Sequence, residues 1–347
     1  MSIIDKPSDY FETKLYTGTQ QARNITGLDF APNWVWIKKR TGASGTSNHY
    51  LFDSVRGASK TLFSNANNAE DTNTNSLTAF NSDGFSLGND TDVNVNNGTF
   101  VSWNWKAGTS FSNNSGANGA SLASTGSVST TAGFSIISWT SPNSNANTIA
   151  HGLGSVPKMI IMKKRGSSGG WVVYHQAMGN THGMFLSTTN AKEDNAGFFN
   201  DTSPTSAVFT TGSDDGLINN TMIAYCFSEK TGFSKFGSYT GNGNADGTFV
   251  FLGFKPAFVI VKRTDASNYW FMFDNKRSTS GSNPTDKELY PNGNEAEDTS
   301  ARFDFLSNGF KNRINSAGSN ASGATYIFMA FAEESFVSSS GVPATAK

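Results

Sequence analysis

Three stretches of the chain read FAPNWVWIKKR (residues 30–40), SVPKMIIMKKR (155–165) and FKPAFVIVKRT (254–264). In each, a proline opens an apolar run and a lysine follows it six residues later: Pro32 and Lys38, Pro157 and Lys163, Pro256 and Lys262. Proline suits the first residue of a strand, where its missing N–H costs least. A short, continuous apolar run bounded in this way predicts a strand buried on both faces or nearly so. Three such strands point to one unit copied three times.

Working outward, other matches recur in the same order. The Glu-Asp pairs Glu70-Asp71, Glu193-Asp194 and Glu297-Asp298 lie 38, 36 and 41 residues after the prolines. An aromatic residue, Phe63, Phe185 or Tyr290, stands seven or eight positions before each pair. Closing stretches TFVSWNWKA, TMIAYCFSE and TYIFMAFAE begin at Thr99, Thr221 and Thr325. Alternate residues there are large and apolar, which predicts a half-buried strand of period two. Tyr50–Asp53 aligns with Val172–His175 and Phe271–Asp274. Asp83-Gly84-Phe85, Asp215-Gly216-Leu217 and Asn308-Gly309-Phe310 read as turns leading into strands, since Asp-Gly and Asn-Gly adopt positive φ readily. Tyr16-Thr17, Trp139-Thr140 and Tyr239-Thr240 precede the three units.

The expected fold is therefore all-β: tandem antiparallel β-sandwich units, three internal repeats of roughly 100 residues each. The expected divisions are an N-terminal peptide over 1–13, available for attachment, and repeats over 14–108, 133–232 and 233–347, the last with a short tail. Residues 109–132, rich in Ser and Gly, read as a linker or long surface loop.

Composition narrows the function classes. Hydrophobic residues make up 36% and charged residues 15%, so much of the surface must be neutral and polar. A net charge of −1 without a long basic run gives no electrostatic footprint for nucleic acid. The single cysteine, Cys226, cannot form an internal disulfide and reads as a small strand residue. The N-terminus MSIIDKPSDYFETKLYTG lacks a basic-then-apolar signal, and no apolar run is long enough to span a membrane.

The chemical candidates read mainly as scaffold. Paired carboxylates can hydrolyse glycosides, but adjacent strand residues point to opposite faces, so a Glu-Asp pair rarely supplies both partners. These pairs are expected to accept backbone N–H bonds or to meet the strand-end lysines. The Lys-Lys-Arg run at 38–40 and its counterparts could bind phosphate or acidic glycans; solvated strand ends are expected instead. GNGNADG (241–247) is followed by a strand pattern rather than a helix, so it lacks the helix N-terminus of a phosphate loop. NDTDVNVNNG (89–98) places oxygen donors at alternate positions but lacks the glycine and distal glutamate of an EF-hand. His49, His151, His175 and His182 show no zinc-binding spacing. No metal, cofactor or catalytic residue is expected. The candidate ligand-binding residues are the loop-edge aromatics Trp171, Tyr269 and Trp270, which could stack on sugar rings, together with Asp90 and Asp92.

The string Tyr239-Thr-Gly-Asn-Gly243, then Leu252-Gly-Phe-Lys-Pro256 and Val259-Ile-Val-Lys-Arg263, resembles repeats in tail-fibre-like structural proteins of phages, notably marine ones. Trp270–Asp274, Glu297-Asp298 and Asn308-Gly309-Phe310 fit the same pattern. The resemblance covers about residues 14–336. It is weakest in the second copy, which has Ser155-Val156 before its proline and His175 in place of Asp. It implies concanavalin-like or jelly-roll lectin sandwiches. It also implies a virion protein, made in the host cytoplasm, in a tail fibre, spike or other host-facing appendage. Its expected partners are other tail or capsid proteins and a host-surface glycan; a homo-oligomer, a trimer by preference, is expected, with no nucleic acid and no membrane insertion. The alternatives are a capsid decoration or tail adaptor with no host ligand, and a polysaccharide depolymerase.

Overall fold

The three closing strands, Thr99–Trp105, Asn220–Phe227 and Thr325–Ser335, each lie inside a sheet rather than at its border. In the computed structural model, which describes residues 4–41, 47–278 and 283–335, strand makes up 48% and helix 3%, so the chain is nearly all-β. One strand order recurs in three successive segments. In the first segment it runs Phe11–Thr17, Thr99–Trp105, Trp34–Thr41, His49–Asp53. In the second it runs Phe134–Ser141, Asn220–Phe227, Met159–Lys164, Trp171–His175. In the third it runs Ser234–Thr240, Thr325–Ser335, Phe254–Arg263, Trp270–Asp274. Every neighbouring pair in these sets is antiparallel.

Each of these sheets has two apolar faces. One faces a second sheet of its own segment. In the first segment Val35, Ile37, Phe52 and Phe100 meet Ile25 and Phe85 of the facing sheet. In the third, Val259, Phe273, Tyr326 and Phe328 meet Val250, Phe303 and Phe310. The other face enters a core shared by all three segments, built from Trp34, Trp103 and Trp105, from Ile161, Tyr225 and Phe227, and from Phe258, Met329 and Phe331. The Phe331 ring touches Phe11 and Trp105 of the first segment, Phe227 of the second and Phe258 of its own.

This corrects the expected half-buried closing strand. Its alternate large residues do share one face, but that face meets the other segments, and the opposite face is buried too: residues 100–105 are all buried. Small or polar residues on that second face, such as Ser102 and Asn104, hid its burial. The Asn104 amide donates locally, to Glu12 O and Ser102 O.

Residues 109–132 are likewise not a linker. Strands Thr109–Asn113 and Ser124–Ser129 form a hairpin that extends the second segment's sheet beyond Phe134–Ser141. An edge strand that is largely exposed needs no hydrophobic pattern, so composition gave no warning. Gly126 is required there, because a Cβ would lie 2.0 Å from Ile136 O. Nor are residues 1–13 wholly a free peptide: Phe11 is 2% exposed and starts the first strand. The turn matched at Asp215-Gly216 leads into no strand; the register pairs Ile25 with Phe85, Ile149 with Phe209 and Val250 with Phe310, so the second segment's counterpart is Phe209.

Because one core joins all three segments, Phe331→Ala should cost about 3–5 kcal/mol, the range for a buried aromatic truncation. Calorimetry should still show one cooperative transition; separate melting of the segments would contradict the shared core.

Candidate functional site

The segments meet cyclically, first with second, second with third and third with first, and corresponding residues build each seam. Lys163 Nζ donates to Asn67 O (3.2 Å), Lys262 Nζ to Thr189 O (3.2 Å) and Lys38 Nζ to Asn294 O (3.2 Å). The expected solvated strand-end lysines are thus buried across the seams, at 1%, 0% and 0% exposure for Lys38, Lys163 and Lys262. Ammonium groups can sit there because each loop turns a carbonyl towards them.

Trp171 and Trp270 belong to the same seams. Trp171 Nε1 donates to Phe63 O at 2.7 Å, and Trp270 Nε1 to Phe185 O at 3.1 Å. They are 0% and 1% exposed, so neither can stack on a sugar. The third member of this set is His49, which accepts from Trp36 Nε1 at 2.8 Å and is fully buried. The sequence shows loops rich in Gly or Ser beside both tryptophans, but only the packing of a neighbouring segment shows that the rings point into it.

Two seams carry a buried ionic network. At the seam of first and second segments, Glu70 accepts from both Arg165 Nε and Nη2 at 2.9 Å and also from Arg56. Arg56 pairs with Asp53, and Tyr225 of the second segment donates to Asp53 at 2.7 Å. At the seam of third and first segments, Glu297 accepts from Arg40 Nε at 2.7 Å and Nη2 at 2.8 Å and from Arg277, which pairs with Asp274. Trp103 donates to Asp274 at 2.9 Å. The carboxylates meet arginines, not the expected lysines. Fork-to-fork pairing of this kind is favoured by the planar guanidinium.

At the remaining seam all five positions differ together. His175 stands for Asp53, Met178 for Arg56, Lys192 for Glu70, Thr264 for Arg165 and Met329 for Tyr225. The correspondence is set by backbone contacts: Lys192 N donates to Thr264 O, as Glu70 N does to Arg165 O and Glu297 N to Arg40 O. Glu193 is therefore one residue out of register with Glu70 and is exposed. Its eight-residue distance from Phe185, against seven from Phe63 to Glu70, was the signal in the sequence. His175 is held by donating to Phe328 O at 3.2 Å, and burial pushes its pKa down to about 4, keeping it neutral.

Asp90 caps the short helix Thr91–Asn94, accepting from Asp92 N at 3.0 Å and from Asn73 Nδ2 at 2.8 Å, while Asp92 is exposed. No group of three metal-ligating side chains occurs among the described residues. Cys226 is buried, and burial pushes its thiol well up. Of the five candidate ligand residues, Tyr269 lines a cavity.

That cavity is an open cleft of about 560 Å³. Loops from all three segments line it: Asn65 from the first, Thr189 from the second, and Asn292 and Glu295 from the third. These are the same loops whose carbonyls receive the seam lysines. Tyr269 is 38% exposed, lies with its ring 4.8 Å from that of Tyr290, and donates to Glu295 Oε1 at 3.3 Å. The neighbouring Glu295 carboxylate pushes the Tyr269 phenol up. The other oxygen, Glu295 Oε2, is buried with no hydrogen-bond partner.

The fold and its seams define a sandwich-type β-protein with an open polar cleft where three segments meet. The chain belongs to the family described as a domain of unknown function, DUF7483, whose profile matches residues 6–335 and so runs through all three segments. No curated protein matches the chain.

Two outcomes are expected at the seams. Arg56→Met should cost about 3–5 kcal/mol in urea unfolding, because it strands Asp53 as an unpaired buried charge; Met178→Arg should also destabilise, because His175 offers its charge no counter-ion. Burial, reinforced by the neighbouring cation, lowers Lys38 to about 7 and Lys163 and Lys262 to about 8. A lysine whose folded pKa lies below its unfolded value binds more protons unfolded, so stability should rise as pH climbs from about 7 towards 10. Urea midpoints across that range check this, and Lys38→Met should flatten the rise.

Proposed function

We propose that this chain is a phage virion structural protein, part of a tail fibre, spike or other host-facing appendage, that binds carbohydrate on the host surface. The observation that carries the reading is the Pro-led strand with its ordered companions, which resembles tail-fibre-like repeats. Its finer architecture on this reading is three tandem copies of a concanavalin-like or jelly-roll sandwich. The recurrence of one strand order in three segments supports that architecture. The low charge and the cleft lined by amides, hydroxyls and one exposed tyrosine suit the recognition of a polar, uncharged surface.

The reading is of a binding protein rather than an enzyme. Glu70 and Glu297, the carboxylates best placed to act as acids, are each clamped by two arginines. Both oxygens of each carboxylate are engaged by guanidinium groups rather than turned towards an open site. Its partners would be other virion proteins. A homo-oligomer, with a trimer favoured, belongs to the same reading. Because the segments bury their inner apolar faces on one another, such an assembly would have to use the outer faces.

Electron microscopy of intact particles carrying a label on this chain should place it on the tail or another appendage, and purified protein should bind glycans on an array. A capsid position without glycan binding would replace this reading with a decoration protein.

A further inference from the structure

We infer that the cleft beside Tyr269 is a binding site for a neutral glycan; this rests on the carbohydrate-binding reading above and gives it a place and a ligand class. The cleft's volume, about 560 Å³, falls within the roughly 300–1,000 Å³ common for ligand sites. One wall is the exposed Tyr269 ring, steadied from behind by Tyr290 at 4.8 Å. Tyr290 is itself fixed, since its hydroxyl donates to Glu288 Oε1 at 2.7 Å. A ring held in this way offers an apolar platform to the C–H face of a sugar at little entropic cost.

Opposite it stand short polar groups. Asn65 is held by donating to Asn48 Oδ1 at 2.9 Å and by accepting from His49 N at 2.9 Å. Asn292 Oδ1 accepts from Trp270 N at 2.8 Å, which anchors that side chain from the protein side. Fixed amides of this kind can meet sugar hydroxyls without first being ordered.

Glu295 decides the ligand class. Its Oε1 accepts from the Tyr269 hydroxyl at 3.3 Å, which ties the carboxylate to the ring wall of the cleft, while Oε2 is buried against Gly293. Among the described residues Glu295 is the only charged side chain lining the cleft. The seam lysines Lys38, Lys163 and Lys262 are behind the lining, where they donate to the loop carbonyls of Asn294, Asn67 and Thr189. A sialylated or uronic acid glycan would bring its carboxylate against Glu295 without a counter-charge. Neutral hexose and N-acetylhexosamine units avoid that repulsion. The site exists only where the segments join, because all three contribute loop residues to it.

The test is calorimetric titration of the full-length protein with neutral oligosaccharides and with their sialylated or uronic counterparts, selected from an array. Neutral ligands should bind. Tyr269→Ala and Glu295→Gln should each weaken binding by at least about tenfold, with unchanged melting temperature, while Asn24→Ala on the far sheet of the first segment should bind normally. Neutral binding that survives both cleft variants would overturn this site and leave the carbohydrate reading standing. Binding confined to acidic glycans would overturn the ligand class. Absence of any glycan binding by the unaltered protein would remove the carbohydrate reading and the site together.

Discussion

The structure depends on closing strands that are buried on both faces. A sheet with one apolar face can be satisfied by a single partner layer. Here the second face, carrying Trp103, Tyr225 and Met329 at corresponding positions, has only the other segments to pack against. Three such faces close on one another and are thereby removed from water. The central rings pack in tilted and stacked pairs, such as Trp34 on Tyr225 at 4.3 Å and Trp34 on Trp105 at 4.4 Å. The sheets of each segment are therefore parts of one cooperative body.

Once the core brings the segments together, the seams must deal with the polar groups at its margin. Two seams do so with ions: a carboxylate clamped between arginines, and a second carboxylate reached by a tyrosine or tryptophan from the next segment. The third does so with neutral His175, two methionines and Thr264, and its fifth position, Lys192, is exposed. The two solutions can have similar stability, because the desolvation of buried ions offsets much of their attraction. A mixture of the two would not be stable, since one missing partner strands a buried charge. That is why all five positions differ together. The lysines escape this choice because backbone carbonyls, which no substitution removes, accept from them.

The same meeting of loops produces the cleft. The carbonyls of Asn67, Thr189 and Asn294 face inward to the lysines, and their loops turn neighbouring amides and hydroxyls outward. The segments differ most there: Tyr269 and Glu295 have Gly170 and Asn190 at the matching positions of the second segment. A scaffold that recurs with loops that differ allows one face to acquire a specific surface without disturbing the core.

The strands themselves were legible in the sequence, because the Pro-led apolar runs and the period of the closing strands are local patterns. The recurrence in three segments and the all-β class follow from them. The burial of Trp171 and Trp270, the strand character of residues 109–132 and the pairing of Glu70 with Arg165 were not legible. Each depends on what lies across a seam, and a residue facing another segment carries no mark in its own neighbourhood. An aromatic beside a glycine-rich loop reads the same whether it faces water or a second core. The sequence by itself determined the strands, their order and the residues able to be buried; the tertiary structure alone decided which were buried, because that depends on contacts more than 100 residues apart, such as Phe63 with Trp171 and Asp53 with Tyr225.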